Sequence, residues 1–291
     1  MIPGPFAYHR PASLEEAIGL LGQHGDEAKI LAGGQSLIPL MRFRFAEPAQ
    51  IIDINRIAGL DGISEENGYL KIGALARESA LDRSQLVRQR YPLLADTAKV
   101  IADPIVRNLA TVGGNLAHAD PANDHPATML AYRAELVARG PDGERVIPID
   151  EFFAGPFEPA LNPGEILTEI RIPAPGARSG GAYEKFERKV GDYAVSAAAV
   201  QLSLAEDGTV ASAGVATTNV SFELQRCAAA EEVLLGRQPD EAAIREAAQA
   251  AADAADPTSD LRGPAEYKRA VTRTVTRRAL HRALERARAN A

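Results

Sequence analysis

The amino-terminal half of the chain alternates short apolar runs with segments of helical spacing. Ser13 is followed by Glu16 three residues later, a capping-box pattern, and the apolar residues after it predict a first helix. Residues 29–32 predict a short buried strand that enters a Gly-Gly turn, and helical spacing resumes over residues 37–44. Further along, the pattern predicts strands over residues 50–55 and 69–73 and a helix over residues 78–88.

The centre of the chain contains an unusual polar loop. Residues 118–126 read HADPANDHP, and their two prolines and three acidic or amide side chains predict irregular structure with no regular helix before Ala127. Short strands are predicted at residues 137–138 and 145–149. The proline- and glycine-rich run at residues 172–181 predicts a linker, and we place a domain boundary inside it.

The pattern after this linker predicts a small sheet covered by helices. Three antiparallel strands are expected over residues 182–188, 194–205 and 210–215, the last two joined by a Glu-Asp-Gly hairpin turn. Alanine-rich helices are expected over residues 228–235 and 241–253, and a last helix from about residue 265 to the end.

Composition and charge narrow the function classes. The 291 residues are 46% hydrophobic and 24% charged, which suits two or three modest domains with their own cores. The 32 basic and 39 acidic residues leave a net charge of −7, so no overall positive field favours nucleic acid or an anionic membrane. No run approaches the roughly 20 apolar residues that span a bilayer, and no signal core precedes the first helix, so the cytoplasm is the expected location.

The single cysteine limits what redox chemistry this chain performs alone. One thiol forms no internal disulfide, and one thiolate holds neither an iron–sulfur cluster nor a structural zinc ion. We expect Cys227 to be a small buried hydrophobic residue. A redox role therefore requires a bound organic cofactor or a metal on a partner.

Two glycine pairs are the most informative local features. One lies in residues 33–36 (GGQS) on the predicted strand-to-helix turn, and the other in residues 111–115 (TVGGN). Glycine lets backbone amides converge on an anion, so each turn is a candidate phosphate site, and two such sites suit a diphosphate. A plain tight turn is the simpler alternative for either pair alone. Neither pair completes a GxGxxG or GxxxxGK[ST] pattern, which disfavours a Rossmann fold and a P-loop kinase.

The wider sequence around both pairs resembles a known family. Residues 31–44 (LAGGQSLIPLMRFR) and 105–124 (IVRNLATVGGNLAHADPAND) are similar to the FAD-binding medium subunit of the molybdenum hydroxylase (xanthine dehydrogenase and carbon monoxide dehydrogenase) family. The resemblance continues through residues 163–167 (PGEIL), 191–194 (GDYA) and 261–269 (LRGPAEYKR), so it covers essentially the whole chain.

The resemblance implies a set of FAD-binding residues. The diphosphate would lie between one group formed by Ala32, Gly33, Gly34, Gln35 and Ser36 and a second formed by Thr111, Val112, Gly113, Gly114 and Asn115. It further implies hydroxyl binding by Asp124, a backbone or apolar contact from Leu167, a cationic donor in Lys185, and contacts to the isoalloxazine ring from Tyr193 and Ile101. No catalytic acid or base and no metal ligand is assigned to this chain.

Two positions depart from the family pattern. Gln35 stands where the carbon monoxide dehydrogenase branch usually has histidine, and Asn115 stands where several relatives have aspartate or serine. Both stay polar, so FAD binding is expected to survive, whereas carbon monoxide oxidation in particular is less well supported. His118 and His125 lack metal-site spacing and are interpreted as supporting donors or polar loop residues.

The fold implied by the resemblance is α+β. Residues 1–177 would form a two-subdomain FAD-binding region of the PCMH or vanillyl-alcohol-oxidase type, with subdomains of about 1–55 and 56–177. Residues 178–291 would form a small antiparallel sheet with helices. FAD would lie extended in the cleft between these parts.

The function implied by the resemblance is electron transfer. A large partner subunit would hold the molybdenum cofactor, a small partner subunit would hold [2Fe–2S] clusters, and FAD in this chain would pass electrons to an external acceptor. The expected assembly is a heterohexamer, a dimer of heterotrimers, with no nucleic acid and no transmembrane segment. The alternatives are a free-standing FAD-dependent reductase and a non-catalytic FAD-binding subunit.

The last predicted helix is rich in lysine and arginine. Such a run is typical of a solvated helix face, and docking on an acidic partner is the second interpretation.

Overall fold

The computed structural model describes residues 2–290 and begins with a small parallel sheet. Its strands are β1 (Ala7–His9), β2 (Ala28–Leu31) and β3 (Gln50–Asp53), in the order β1-β3-β2. Helix α1 (Leu14–His24) begins as predicted, because the Ser13 hydroxyl accepts a hydrogen bond from the Glu16 amide at 3.2 Å. Helix α2 (Leu37–Phe43) follows β2 directly after the first glycine pair.

A five-stranded antiparallel sheet forms the middle of the molecule. Its strands are β4 (Ile63–Glu66), β5 (Tyr69–Gly73), β6 (Glu135–Gly140), β7 (Gly143–Pro148) and β10 (Ile166–Pro173), in the order β4-β5-β10-β6-β7. A separate two-stranded ribbon pairs β8 (Phe153–Gly155) with β9 (Glu158–Pro159). The helices of this part are α3 (Glu78–Arg83), α4 (Gln85–Arg90), α5 (Pro92–Val100), α6 (Pro104–Arg107), α7 (Val112–His118) and α8 (Asp124–Tyr132).

Two predictions for this middle part were wrong. The helix expected over residues 78–88 is broken at Ser84, whose hydroxyl accepts from the Val87 amide at 3.3 Å and caps a new helix, α4. The helix expected no earlier than Ala127 begins at Asp124. Pro126 is tolerated there because amides in the first turn of a helix have no intrahelical acceptor.

The carboxy-terminal part is a three-stranded antiparallel sheet with three helices, as predicted. The strands are β11 (Ser179–Glu187), β12 (Ala194–Leu204) and β13 (Val210–Thr218), and the helices are α9 (Ala228–Leu234), α10 (Glu241–Ala254) and α11 (Ala265–Ala289). The expected linker is shorter than residues 172–181, because β10 runs to Pro173 and β11 starts at Ser179. The α+β class predicted from the sequence is confirmed.

Strand β12 is buried on both faces, which explains its alanine-rich sequence. Ala197 and Ala199 face the core of the middle part, whereas Ala198, Val200 and Leu202 face α9, α10 and α11. Alternate residues of a strand point to opposite faces of the sheet. Small side chains are therefore needed where one sheet packs against a layer on each face. Cys227 lies in the second of these cores, and burial raises the pKa of its thiol.

Two arginines on the basic face of α11 form ion pairs within the molecule. Arg282 and Arg286 both reach Asp96 on α5, with Nη–Oδ2 distances of 3.0 and 2.6 Å, and Arg282 also pairs with Glu184 on β11. The two interpretations of this helix, a solvated face and a partner surface, therefore both miss a role in joining the two parts of the chain. No helix within residues 2–290 is long and apolar enough to cross a membrane.

Candidate functional site

A cavity of about 630 Å³ lies where the parallel sheet, the central helices and the carboxy-terminal sheet meet. This volume is within the range of about 300–1,000 Å³ typical of small-molecule sites. Twelve of the fifteen residues predicted to bind FAD line it: Ala32, Gly33, Gly34, Gln35, Ser36, Ile101, Thr111, Gly114, Asn115, Asp124, Lys185 and Tyr193.

The other three predicted residues are buried beside the cavity and are not among its lining residues. Val112 and Gly113 are in the first turn of α7, and their amides donate to Ala76 O at 3.0 Å and Ala74 O at 2.9 Å. Leu167 lies inside the five-stranded sheet, where it pairs with Ala138. The side chains of Val112 and Leu167 therefore pack the walls of the site, and the backbone of Gly113 packs against Ala74.

The first glycine turn has unused hydrogen-bond donors. Across residues 2–290, the amides of Gly33, Gly34, Gln35 and Ser36 find no acceptor, and neither does the Ser36 hydroxyl. Gly34 has φ +74°, a conformation that favours glycine. A set of adjacent free amides in such a turn is the arrangement that binds anions.

The second glycine turn uses its backbone differently. Besides the two amides already described, the Gly114 amide donates to Thr111 Oγ1 at 3.2 Å, and the Asn115 amide donates to Thr111 O at 2.9 Å. What remains available is a side chain: Asn115 Oδ1 is buried and has no partner within residues 2–290. A buried acceptor without a partner fits a ligand that supplies a hydroxyl or amide donor.

The two turns are in direct contact at Gly33. A Cβ atom on this residue would lie 2.4 Å from Leu109 O and 2.8 Å from Ala110 Cα, so only glycine permits the approach. Arg77 and Asn55 hold this junction together. Asn55 Nδ2 donates to Ala32 O at 2.5 Å, Arg77 Nη2 donates to Asn55 Oδ1 at 2.7 Å, and Arg77 Nη1 donates to Leu109 O.

Asp124 and Lys185 form a buried ion pair that also lines the cavity. Lys185 Nζ donates to Asp124 Oδ2 at 2.9 Å and to Val100 O at 3.1 Å, and it lies 3.4 Å from Glu187 Oε2. Tyr183 donates to Asp124 Oδ1 at 2.6 Å, and burial together with this carboxylate holds the pKa of Tyr183 well above its usual range. The lysine is therefore fixed beside Ile101, the predicted ring contact.

Tyr193 lies at the end of the cavity formed by the carboxy-terminal sheet. Loss of solvent around the hydroxyl, together with the charge and hydrogen bond of Asp120, raises the pKa of Tyr193 to about 12. The phenol is therefore neutral at physiological pH. An aromatic ring at this end is suited to flank a flat ligand group.

The cavity also includes residues that the sequence did not single out as ligands. His118 lines it with its ring 5.2 Å from Phe157, and burial lowers the pKa of the imidazole. Asn123 also lines it, and its Nδ2 donates to Asn115 O at 3.1 Å. Leu37 and Leu40, one turn apart on α2, add an apolar wall. Their helical spacing was the signal that could have found them.

The donor set fits FAD. The free amides and the hydroxyl of residues 33–36 suit a diphosphate, the orphaned Asn115 oxygen suits a ribityl or ribose hydroxyl, and apolar and aromatic residues at the other end suit a flat ring. No group of three or more histidine, cysteine, aspartate or glutamate side chains within residues 2–290 is placed to hold a metal ion.

Comparison with known families gives matches over nearly the whole chain. Residues 4–175 match the family described as FAD binding domain in molybdopterin dehydrogenase, and residues 181–283 match the CO dehydrogenase flavoprotein C-terminal domain.

Individual proteins of this type are also similar to the chain over most of its length. The chain is 48% identical to the carbon monoxide dehydrogenase medium chain of Hydrogenophaga pseudoflava, over 93% of this chain and 94% of that one. It is 40% identical to the 6-hydroxypseudooxynicotine dehydrogenase complex subunit alpha of Paenarthrobacter nicotinovorans, over 93% and 92%. A solved structure of carbon monoxide dehydrogenase from Hydrogenophaga pseudoflava, lacking the Mo-pyranopterin moiety, superposes with a TM-score of 0.95, over 98% of this chain and 99% of that one.

Proposed function

Because the chain belongs to the family of the FAD-binding domain in molybdopterin dehydrogenases, we propose that it is the flavin-bearing medium subunit of a molybdenum-dependent dehydrogenase complex. The resemblance noted in the sequence and the expected oxidoreductase class are confirmed. Both halves of the chain match one flavoprotein type, which favours an electron-transfer subunit over a free-standing reductase.

The observation that carries the proposal is the first glycine turn. Residues 33–36, with four consecutive free amides and the Ser36 hydroxyl, line the cavity between the parallel sheet, the central helices and the carboxy-terminal sheet. We assign the FAD diphosphate to this turn. Thr111 and Asn115 would then hold the adjoining hydroxyls through their side chains, because the amides of residues 112–115 are already bonded within the protein.

The other predicted residues are assigned to the remainder of the cofactor. Asp124 keeps lone pairs for a hydroxyl beyond those used by Tyr183 and Lys185. Ile101 and Tyr193 would flank the ring, and Lys185 places a positive charge beside Asp124 near that end. Bound FAD accepts electrons and passes them to a second acceptor, while the protein orients it and sets the surrounding charge.

The partners follow from what this chain lacks. Its single cysteine is buried in the second core, so the iron–sulfur clusters belong to another subunit. We propose a large subunit with the molybdenum cofactor and a small subunit with [2Fe–2S] clusters, assembled as a dimer of heterotrimers in the cytoplasm. The division of this chain at residue 177, with subdomains near 1–55 and 56–177, stays a prediction.

Purification of the native complex tests the proposal. We expect flavin absorbance in proportion to this chain, two further co-purifying chains in a mass-spectrometric analysis, and bound molybdenum and iron. A single chain that oxidises NADPH would support the reductase alternative instead. A single flavoprotein that accepts electrons from no donor would support a non-catalytic subunit, and a complex without flavin would refute all three functions.

A further inference from the structure

The ring of Tyr193 is held from outside the cavity by an arginine of the carboxy-terminal part. The guanidinium carbon of Arg262 lies 5.7 Å from the centroid of the Tyr193 ring, within the distance of a cation–π contact. The hydroxyl end of Tyr193 is hydrogen-bonded to Asp120, and 46% of the residue is exposed. Asp120 therefore restrains the hydroxyl end of this side chain, and Arg262 restrains the face of its ring.

Arg262 is itself fixed by two acidic residues. Its Nη2 donates to Asp192 Oδ1 at 2.8 Å, and the same oxygen accepts the Tyr193 amide at 2.8 Å. Its own amide donates to Asp260 Oδ1 at 2.7 Å, and Asp260 Oδ2 pairs at 2.8 Å with Lys268, which is 2% exposed. A buried lysine thus anchors the loop that carries Arg262.

One donor of Arg262 is left without an acceptor. The Nε atom is buried and makes no hydrogen bond within residues 2–290. An unpaired buried donor is unfavourable, so the bonding of Arg262 within the protein does not by itself account for its position. The guanidinium instead contacts the Tyr193 ring, a contact that lysine would reproduce only in part and glutamine would not reproduce.

We propose that Arg262 is a positioning residue that holds Tyr193 against the ring end of the FAD site and thereby limits access of an electron acceptor to the flavin. The inference rests on the proposed function, because it requires FAD with its isoalloxazine ring beside Tyr193. Arg262 acts through Tyr193 and does not line the cavity.

The test uses the flavin-loaded complex and the variant Arg262→Gln. We expect flavin content to be unchanged and flavin fluorescence to rise about threefold, because a ring freed from a cation–π contact covers the flavin less of the time. After reduction with dithionite, reoxidation by a low concentration of a dye acceptor is expected to be about threefold faster, with the limiting rate at high dye concentration unchanged. Arg262→Lys, which keeps the charge beside Asp192, should recover only part of the effect.

The matched control is Arg188→Gln. Arg188 also bonds Asp192, at 3.4 Å, and it donates to Leu261 O at 3.3 Å, whereas the cation–π contact to Tyr193 found within residues 2–290 comes from Arg262. A fluorescence change as large in this control as in Arg262→Gln would overturn the proposal.

A double-mutant cycle gives the decisive result. In a Tyr193→Ala background, Arg262→Gln should change neither the flavin fluorescence nor the reoxidation rate further. The proposal has Arg262 act on the flavin only through the Tyr193 ring, which this background lacks. An undiminished effect of Arg262→Gln in that background would overturn the proposal. Absence of flavin from the wild-type complex would instead refute the proposed function, so the two failures are distinguishable.

Discussion

The two glycine turns look equivalent in the sequence, yet they contribute to the cavity in different ways. In the first turn, the amides of residues 33–36 are free of protein acceptors across residues 2–290. In the second, the amides of residues 112–115 are bonded to Ala76, Ala74 and Thr111. A Gly-Gly pair thus marks where the backbone needs space or unusual dihedral angles, but it does not show which polar groups remain available to a ligand.

The largest effect is expected for Gly34→Val in the first turn. Valine at φ +74° is strained, and its Cβ would lie 2.7 Å from Ile38 Cδ1. Strain of about 1–3 kcal/mol together with displacement of the free amides should lower FAD affinity by about 100-fold. Flavin absorbance of the purified chain measures the loss. The control is Gly59→Val, which has a similar φ of +83° in open space and should keep its flavin.

The second-largest effect is expected for a substitution of Gly113, which should lower the stability of the fold. A Cβ at this position would lie 2.4 Å from Ala74 Cβ, so Gly113→Ala should lower the free energy of unfolding by about 1–3 kcal/mol. The folded fraction should bind FAD normally. Urea unfolding and flavin stoichiometry separate the two outcomes, with Gly19→Ala on α1, where nothing lies within 4 Å, as the control. A loss of flavin without a loss of stability would contradict the comparison.

A smaller effect is expected where the two turns are tied together. Arg77→Gln removes the link from Asn55 to Leu109 O, and a hydrogen bond from a charged group contributes about 1.5–3 kcal/mol. Part of this loss should appear as a roughly tenfold weaker FAD affinity, measured by titration of the apoprotein. Arg83→Gln is the control, because within residues 2–290 Arg83 bonds only Ser79 on the same helix. Equal affinity in both variants would show that the junction holds without Arg77.

The smallest effect is expected for Asn115→Ala. Loss of one hydrogen bond from the orphaned Oδ1 should weaken FAD binding by about fivefold, or about 1 kcal/mol. Asn115→Ser keeps an acceptor and should bind nearly as well as the wild type. If alanine and serine weaken binding equally, the second turn contributes no side-chain hydrogen bond to the cofactor.

Elements with strong local signals could be predicted from the sequence. The capping box at Ser13 and the carboxy-terminal hairpin and helices are set by residues close together in the chain. Strand β10 was missed because its partners, β5 and β6, lie about 100 and 30 residues away, and no local pattern specifies that pairing. The start of α8 was misread because Pro126 was taken as a helix breaker.

The candidate site, like the fold, could be predicted from the sequence only in part. The family motifs brought together residues from all three walls, but they also included Val112, Gly113 and Leu167, which are packed behind the surface of the cavity. A family motif contains residues that pack the fold as well as residues that bind the ligand. The sequence of the motif alone does not distinguish the two kinds. The expectation that this chain alone holds no iron–sulfur cluster rests on its single cysteine.

The wall of the cavity formed by the carboxy-terminal sheet is the last to be synthesised. Lys185 and Tyr193 come from the carboxy-terminal sheet, and that sheet is fastened to Asp96 by Arg282 and Arg286, almost 190 residues later in the chain. A nascent chain that has emerged only as far as β10 presents two walls and an open side. We therefore expect the complete cavity to form only after α11 has been synthesised, because Arg282 and Arg286 lie on that helix.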